Sequence, residues 1–330
     1  MRVLVTGGAG YIGSQTALRL AEAGHDIVVL DNLSAGHRWA APGHALVVAD
    51  LADADVLERL FEARAFEAVV HFAAHIEVAE SVANPLKYYR NNTQNTLALI
   101  DRCHRFGVRH FVFSSTAAVY GMPEDGRVAE NAPLLPITPY GASKRMSERI
   151  LEDVAKISSL RYVVLRYFNA AGADPELRLG EAHDPETHLI PIAVQTALGF
   201  RRRLQVFGTD YPTPDGTCVR DYIHVDDLAM AHIAALDHLA RGGGSLTLNC
   251  GYGHGASVRE VIAMVKEVSG FDFAVEEGPR RPGDPPALVA DTRRIGEALR
   301  WKPAHDNLRF IVETAFNWER KYRDDFARKK

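Results

Sequence analysis

The sequence predicts an α/β protein: a doubly wound parallel sheet with a smaller α/β lobe interleaved toward the C-terminal side. Three observations predict it. Short, Val-rich apolar runs alternate with helical patterns through the first half of the chain. Those runs are apolar at nearly every position rather than at every second one, as strands covered on both faces are. After Phe168 the texture changes to loops rich in Pro and Gly, and helix and strand patterns resume only beyond residue 220.

The elements follow in order. Strands are read at residues 2–8, 26–31, 45–50, 68–73, 110–115 and 162–168. Helices are read at 14–24, 53–63, 91–107 and 143–156, with Gly24 and Gly107 placed where a left-handed residue closes a helix. Such alternation builds parallel strands joined by crossover helices. A helix over 222–241, a strand over 246–251, a helix over 257–270 and a Pro-rich stretch at 278–287 follow. Residues 1–168 are expected to form the first domain and 169–330 mainly the second, with 220–250 returning to the first.

The 330 residues are 47% hydrophobic and 24% charged, an ordinary globular composition. A net charge of −4 gives no reason to expect nucleic acid or an anionic membrane as partner. The basic run at 200–204 reads as a solvated helix end. Cys103, Cys218 and Cys250 have neither metal-ligand nor redox spacing, which suits reduced thiols in a cytoplasmic protein. The first residues run straight into a strand pattern without a leader layout, and no run approaches 18 apolar residues.

Gly7, Gly10 and Gly13 lie between the first strand and the first helix. Glycines there let the backbone turn tightly and approach a pyrophosphate, which the N–H groups of the helix start then receive. The spacing differs by one residue from the common dinucleotide fingerprint, so its position at the first strand–helix turn of a Rossmann-type domain carries the reading. Asp31 ends the second strand, 18 residues after Gly13. An acid there accepts hydrogen bonds from ribose hydroxyls and repels a 2′-phosphate, which predicts NAD over NADP. Asp50 ends the third strand, within reach of the adenine edge.

Tyr140 and Lys144 lie four residues apart, on one helix face. A phenol with a pKa near ~10 is a poor base at neutral pH. A neighbouring ammonium stabilises the phenolate, which can then take a proton from a substrate hydroxyl. The spacing alone means little. Ser114, Ser115 and Thr116, however, end the strand at 110–115, at the edge where ligands of such sheets bind. Asn91, opening the helix before that strand, is a further polar candidate.

Several stretches carry a resemblance: "VTGGAGYIGS", "DNLS", "VVHFAA", "FSSTAAVYG", "PYGASK", "LRYFNAAGA", "FGTDYPTPDGTCVRDYIHVDDLA" and "RRPGDPPALVAD". Together they make the chain similar to the extended short-chain dehydrogenase/reductases and, more narrowly, to the UDP-glucose 4-epimerases, over essentially its whole length. The glycine loop and the Tyr–Lys pair mark the superfamily; "LRYFNAAGA" and the long block at 207–229 mark the epimerases. The resemblance implies reversible C4 epimerisation of UDP-glucose and UDP-galactose through a 4-keto sugar, with tightly bound NAD and a homodimer.

It also implies residue roles. Tyr140 is base and acid, Lys144 supports it and binds the nicotinamide ribose, and Thr116 holds the sugar 4-oxygen where the family usually has Ser. Tyr11, Ile12, Asn32, Asp50, Leu51, Phe72, Ala73, Ala74, Asn91, Ser114 and Phe168 join the glycine loop and Asp31 as NAD contacts. Asn169, Leu189, Phe207, Arg220, Arg281, Asp284 and Leu288 fall on UDP-sugar positions. Guanidinium forks at Arg220 and Arg281 suit diphosphate oxygens.

Two departures stand out. Ile76 marks a stretch where the family often carries a phosphate-binding lysine. In that family a bulky residue at Leu288 excludes N-acetylated sugars and a small one admits them; leucine is intermediate, which leaves UDP-N-acetylhexosamines open, and UDP-pentoses are a separate alternative substrate. A 4,6-dehydratase needs acids after the strand-end hydroxyl, where this chain has Ala117 and Ala118. An NAD-sensing module would keep the glycine loop without needing the Tyr–Lys pair. His71 and His75 share no metal-binding face, and no metal is expected.

Overall fold

The computed structural model of the chain describes residues 1–325 other than 124 and 282. A seven-stranded parallel sheet forms its centre, in the order Leu246–Cys250, Arg161–Tyr167, His110–Thr116, Ala68–His71, Arg2–Thr6, Asp26–Asp31, Ala45–Val48. The chain first winds outward from Arg2–Thr6 in one direction, then crosses back to Ala68–His71 and winds the other way. The reversal leaves a crevice at the carboxyl ends of those two neighbours, which pair Thr6 with His71.

The apolar strand pattern has a direct cause. Val3 and Val5 belong to the buried cluster on one face of the sheet and Leu4 to the cluster on the other. Successive side chains of a strand point to opposite faces, so a sheet covered twice needs an apolar residue at each step.

Several boundaries differ from the sequence reading for local reasons. The helix expected from 143 spans Pro139–Ile157, because Thr138 Oγ1 accepts from the Gly141 N–H and Pro139 suits the first turn. The helix expected over 91–107 is α-helical over Asn95–Arg105 and enters through a π-helical turn, Tyr89–Gln94, that holds Asn91. The stretch 222–241 divides into a strand, Tyr222–His224, paired with Asn169–Ala171, and a helix, Val225–Ala240. That helix lies against the Tyr11–Glu22 helix, where Arg19 binds Asp226 at 2.6 Å.

The remaining strands are short. Ala256–Ser257, Val219–Arg220, Ala287–Ala290 and Arg127–Val128 form a four-stranded sheet, and Val275–Gly278 pairs with Leu204–Phe207. Two helices, Leu189–Ala197 and Leu308–Asp325, were not expected from the sequence. The basic run at 200–204 follows the first of them, and there Arg201 donates to Gln195 and Arg203 pairs with Glu276. Among the described residues no helix is long and apolar enough to cross a membrane.

Three fully buried histidines make stability depend on pH. His71 lies between the hydroxyls of Thr6 and Thr96, at 2.6 and 2.7 Å, and burial pushes it down to about 3. Burial likewise pushes His224 down to about 3 and His232 to about 4. Their folded pKa values lie below the unfolded one, so the unfolded state binds more protons through roughly pH 4–6 and stability falls as pH falls through that window. Unfolding at pH 5 should therefore take up about three protons at these sites, in addition to those taken by carboxylates. His232→Gln should lower the slope of unfolding free energy against pH by about one proton, ~1.4 kcal/mol per pH unit. An unchanged slope would show that His232 is not held neutral.

Candidate active site

The glycine loop turns where the crevice opens. Gly7 has φ +69°, and a Cβ there would come within 2.6 Å of the Ala73 nitrogen on the facing strand end. A Cβ on Gly13 would overlap the Gly7 carbonyl. The helix begins at Tyr11 behind Gly10, with no side-chain cap and no acid in its first turn. Its first N–H groups therefore face the crevice without a competing side chain.

Asp31 is buried at the end of its strand, and its two oxygens accept from the N–H groups of Ala9 and Leu33 at 3.0 and 2.8 Å. Asn32 donates to Asp50 at 2.7 Å, which ties the ends of the second and third strands together. Tyr11 donates its hydroxyl to the Gly172 carbonyl at 2.6 Å. Ile12 and Phe72 pack half-buried against the core, while the Leu51 side chain lies inside it. Ala73 and Ala74 follow Phe72 in the loop facing the glycines. Asn91 donates to Asn92, which accepts from the His75 N–H and donates to Ser143.

Tyr140 and Lys144 rise from the Pro139–Ile157 helix beside the end of His110–Thr116. Lys144 is 3% exposed, donates to the Ser114 carbonyl at 2.7 Å, and sits 5.0 Å over the Phe113 ring. Burial pushes this ammonium down to about 7, with the Glu148 carboxylate pulling it back up. Surrounding protein pushes the Tyr140 phenol above its ordinary value; a hydrogen bond with Thr116 lowers it and the charge of Glu77 raises it. Burial thus opposes the expected acidification of Tyr140 by Lys144, because low polarity disfavours the charged form of both groups. Ser114 bonds the Tyr167 hydroxyl, and Ser115 turns to the opposite face to donate to Glu148 at 2.6 Å.

Most of the residues expected to meet a nucleotide sugar fall into one cluster. Arg281 lies 4.8 Å over the Phe207 ring and donates to Asp284 at 3.0 Å. Arg220 approaches the other Asp284 oxygen at 3.6 Å. Leu288 is paired with Arg220 in the four-stranded sheet. With Phe168, Leu288 packs against Ala117, Val119, Tyr120 and Val128, directly after Thr116. The diphosphate candidates and the hydroxyl end of the main sheet are thereby joined through one apolar wall. Asn169 follows Phe168 and donates its N–H to the Asp221 carbonyl at 3.0 Å, next to Arg220, while Leu189 opens the helix Leu189–Ala197.

Residues 3–251 match the family model described as "NAD dependent epimerase/dehydratase family". The chain belongs to that family. It is 57% identical to a UDP-glucose 4-epimerase of Azospirillum brasilense over 97% of this chain and 92% of the relative. Its fold superposes on the UDP-glucose 4-epimerase of Brucella ovis in complex with NAD, with a TM-score of 0.93, 47% identity, and 96% and 97% of the two chains covered. The UDP-Glc/GlcNAc 4-epimerase of Campylobacter jejuni matches with a TM-score of 0.85, 49% identity, and 97% and 99% coverage.

The family's NAD fits the residues present: an uncapped helix start behind a loop where Gly7 and Gly13 pack too closely on backbone to admit a Cβ, with a buried carboxylate at the next strand end. The family segment around Ile76 offers no free cation, since Ile76 is exposed and the nearby Lys87 is held by Glu80 at 2.5 Å.

The sequence reading passed over three features. Glu148, fully buried, receives the Arg166 guanidinium on both oxygens at 2.9 and 2.7 Å. It lies four residues after Lys144, so the i, i+4, i+8 spacing from Tyr140 was its available signal. Asn92 and Ser143 fasten the loop after Phe72 to the Tyr–Lys helix. Glu181, His183, Glu186 and His188 come together in a stretch read as loop, although no metal ligands were expected.

Proposed function

We propose that this protein interconverts UDP-glucose and UDP-galactose by inverting C4 through a 4-keto sugar. The observation that carries the reading is the packing of the strand end at Thr116 against the helix that bears Tyr140 and, one turn further along, Lys144, whose ammonium donates to the Ser114 carbonyl at 2.7 Å. Bound NAD supplies the hydride acceptor and donor at C4. Tyr140 removes the 4-hydroxyl proton and later returns it. Thr116 holds the 4-oxygen in line with that phenol, and Lys144, anchored on the Ser114 carbonyl, holds its positive charge beside the nicotinamide ribose.

Arg220 and Arg281, spaced by Asp284, grip the diphosphate, and Phe207 packs at the nucleotide end. The nucleotide is held while the sugar turns over and presents its other face. Ala117 and Ala118 follow Thr116 in a 3₁₀ turn, leaving no acid where dehydration would need one. Residues 1–168 would carry the cofactor and 169–330 mainly the nucleotide sugar. The reading extends to a cytoplasmic homodimer: the described cysteines are all unpaired. Leu97, Met146 and Ile157 also remain exposed, at 48, 47 and 77%, on the helices Asn95–Arg105 and Pro139–Ile157.

A coupled assay without added NAD should show UDP-glucose and UDP-galactose interconverting. UDP-xylose and UDP-N-acetylglucosamine, run beside them, test the width of the wall at Leu288. Conversion restricted to a pentose or N-acetylated pair would replace the hexose assignment with that alternative, and turnover that consumes external NAD stoichiometrically would refute epimerisation.

A further inference from the structure

Four side chains that the reaction does not use converge on one point. Glu181, His183, Glu186 and His188 each direct a nitrogen or oxygen inward, and these atoms all lie within 4.8 Å of one another. Both carboxylates are deeply buried, with side chains 5% and 3% exposed. The Nδ1 atoms of His183 and His188 lie 2.9 and 2.8 Å from Glu181 Oε1. Glu186 Oε1 lies 3.0 Å from His188 Nδ1, and Glu186 Oε2 lies 3.9 Å from His183 Nδ1.

A tetrahedral zinc ion with bonds of about 2.0–2.2 Å sets its ligand atoms about 3.3–3.6 Å apart. The separations observed straddle that range. Two carboxylates so far from water require two compensating positive charges. One dication meets that requirement and leaves both imidazoles neutral. Two imidazoles and two carboxylates favour a divalent transition metal over magnesium or calcium, which prefer oxygen alone.

We propose that Glu181, His183, Glu186 and His188 form a closed structural site for a divalent transition-metal ion of the zinc class. Four protein ligands leave no position for a reacting water, which separates this site from the catalytic kind. The surroundings hold the ligands in place. Glu186 Oε1 accepts from the N–H groups of Thr187 and His188, both at 2.8 Å, leaving Oε2 for an ion. Trp318 donates to the Glu181 carbonyl at 2.8 Å. The site ties two functional segments together: the Tyr11 ring stands edge-on to His183 at 6.3 Å, and Leu189 opens its helix directly after His188.

The test is the metal content of untagged protein, purified without chelator and then exposed to micromolar Zn²⁺ or Co²⁺. One zinc per chain should survive gel filtration. Co²⁺ should give the intense visible bands of a four-coordinate ion without thiolate charge transfer, and zinc should raise the thermal midpoint. His183→Gln and His188→Gln should each lose the ion while keeping NAD. If either variant fails to fold, the wild-type stoichiometry and Co²⁺ spectrum decide. Substoichiometric metal and no Co²⁺ bands would overturn the proposal, leaving a cluster balanced by protons on the two histidines. Zinc undiminished in the folded variants, or a thiolate signature, would overturn it by placing the ion elsewhere.

Discussion

Tyr140→Phe should leave the fold and the bound NAD in place and lower turnover by about 10²–10⁴-fold, the span that a positioned acid–base group contributes. The change removes one oxygen. The ring keeps its packing, and the helix start keeps its Thr138 cap and the Ser143 hydroxyl on the Tyr140 carbonyl. What is lost is the hydroxyl to which the proposed reaction assigns the proton. Surroundings that push the phenol upward also keep its phenolate scarce until the pocket gains positive charge, so the proposed reaction depends on what stands beside the oxygen as well as on the oxygen itself. Thr116→Ala should cost less, since it removes an orienting hydroxyl and leaves the proton carrier. The coupled assay reads both variants, and the absorbance of nucleotide released on denaturation reads the NAD. A Tyr140→Phe enzyme turning over at the wild-type rate would dismiss Tyr140 as the acid–base group.

The parts of this molecule that were legible are those encoded locally. Val3, Leu4 and Val5 announce a strand covered on both faces, and Gly7 to Gly13 announce the turn, because each requirement falls on adjacent residues. Thr116, Tyr140 and Lys144 were legible because one strand end and one helix face hold them. The pairings of Val219–Arg220 with Ala287–Ala290, and of Arg127–Val128 with the same strand, bring together two-residue pieces far apart in sequence. No local period marks such pieces. Tyr222–His224 was read as helix because its pairing with Asn169–Ala171 overrides the pattern it shares with the residues after it. The charge state of Lys144 was hidden for a different reason: it follows from complete burial, and sequence spacing cannot show which face of a helix the chain covers. The quartet from Glu181 to His188 was open to reading by its spacing, but the prolines and glycines around it made the stretch look like plain loop.

Glu148→Gln should be the most destabilising single substitution near the site. Glu148 is fully buried, and its carboxylate takes both prongs of Arg166, the Ser115 hydroxyl at 2.6 Å and Arg145 at 3.2 Å. Arg166 in turn donates to the Tyr120 hydroxyl, which bonds Asn249. The network crosses three adjacent strands of the main sheet and the Tyr–Lys helix. An amide at 148 leaves the Arg166 guanidinium, 3% exposed, without its counter-charge, which costs about 3–5 kcal/mol when one partner of a buried pair is removed. Removing both charges together, Glu148→Leu with Arg166→Met, should restore most of that loss, since an apolar pair of similar volume has no desolvation to offset. The double variant then isolates a second effect. Glu148 is the anion that pulls the Lys144 ammonium upward against burial. Without it Lys144 loses its proton at a lower pH, so the alkaline limb of the pH–rate profile should move to lower pH even where stability has recovered. Denaturant midpoints measure the first effect and kcat against pH the second. A single variant that unfolds within about 1 kcal/mol of wild type would show the pair to be unimportant for stability. A double variant with the wild-type alkaline limb would show that the Glu148–Arg166 pair does not set the charge of Lys144.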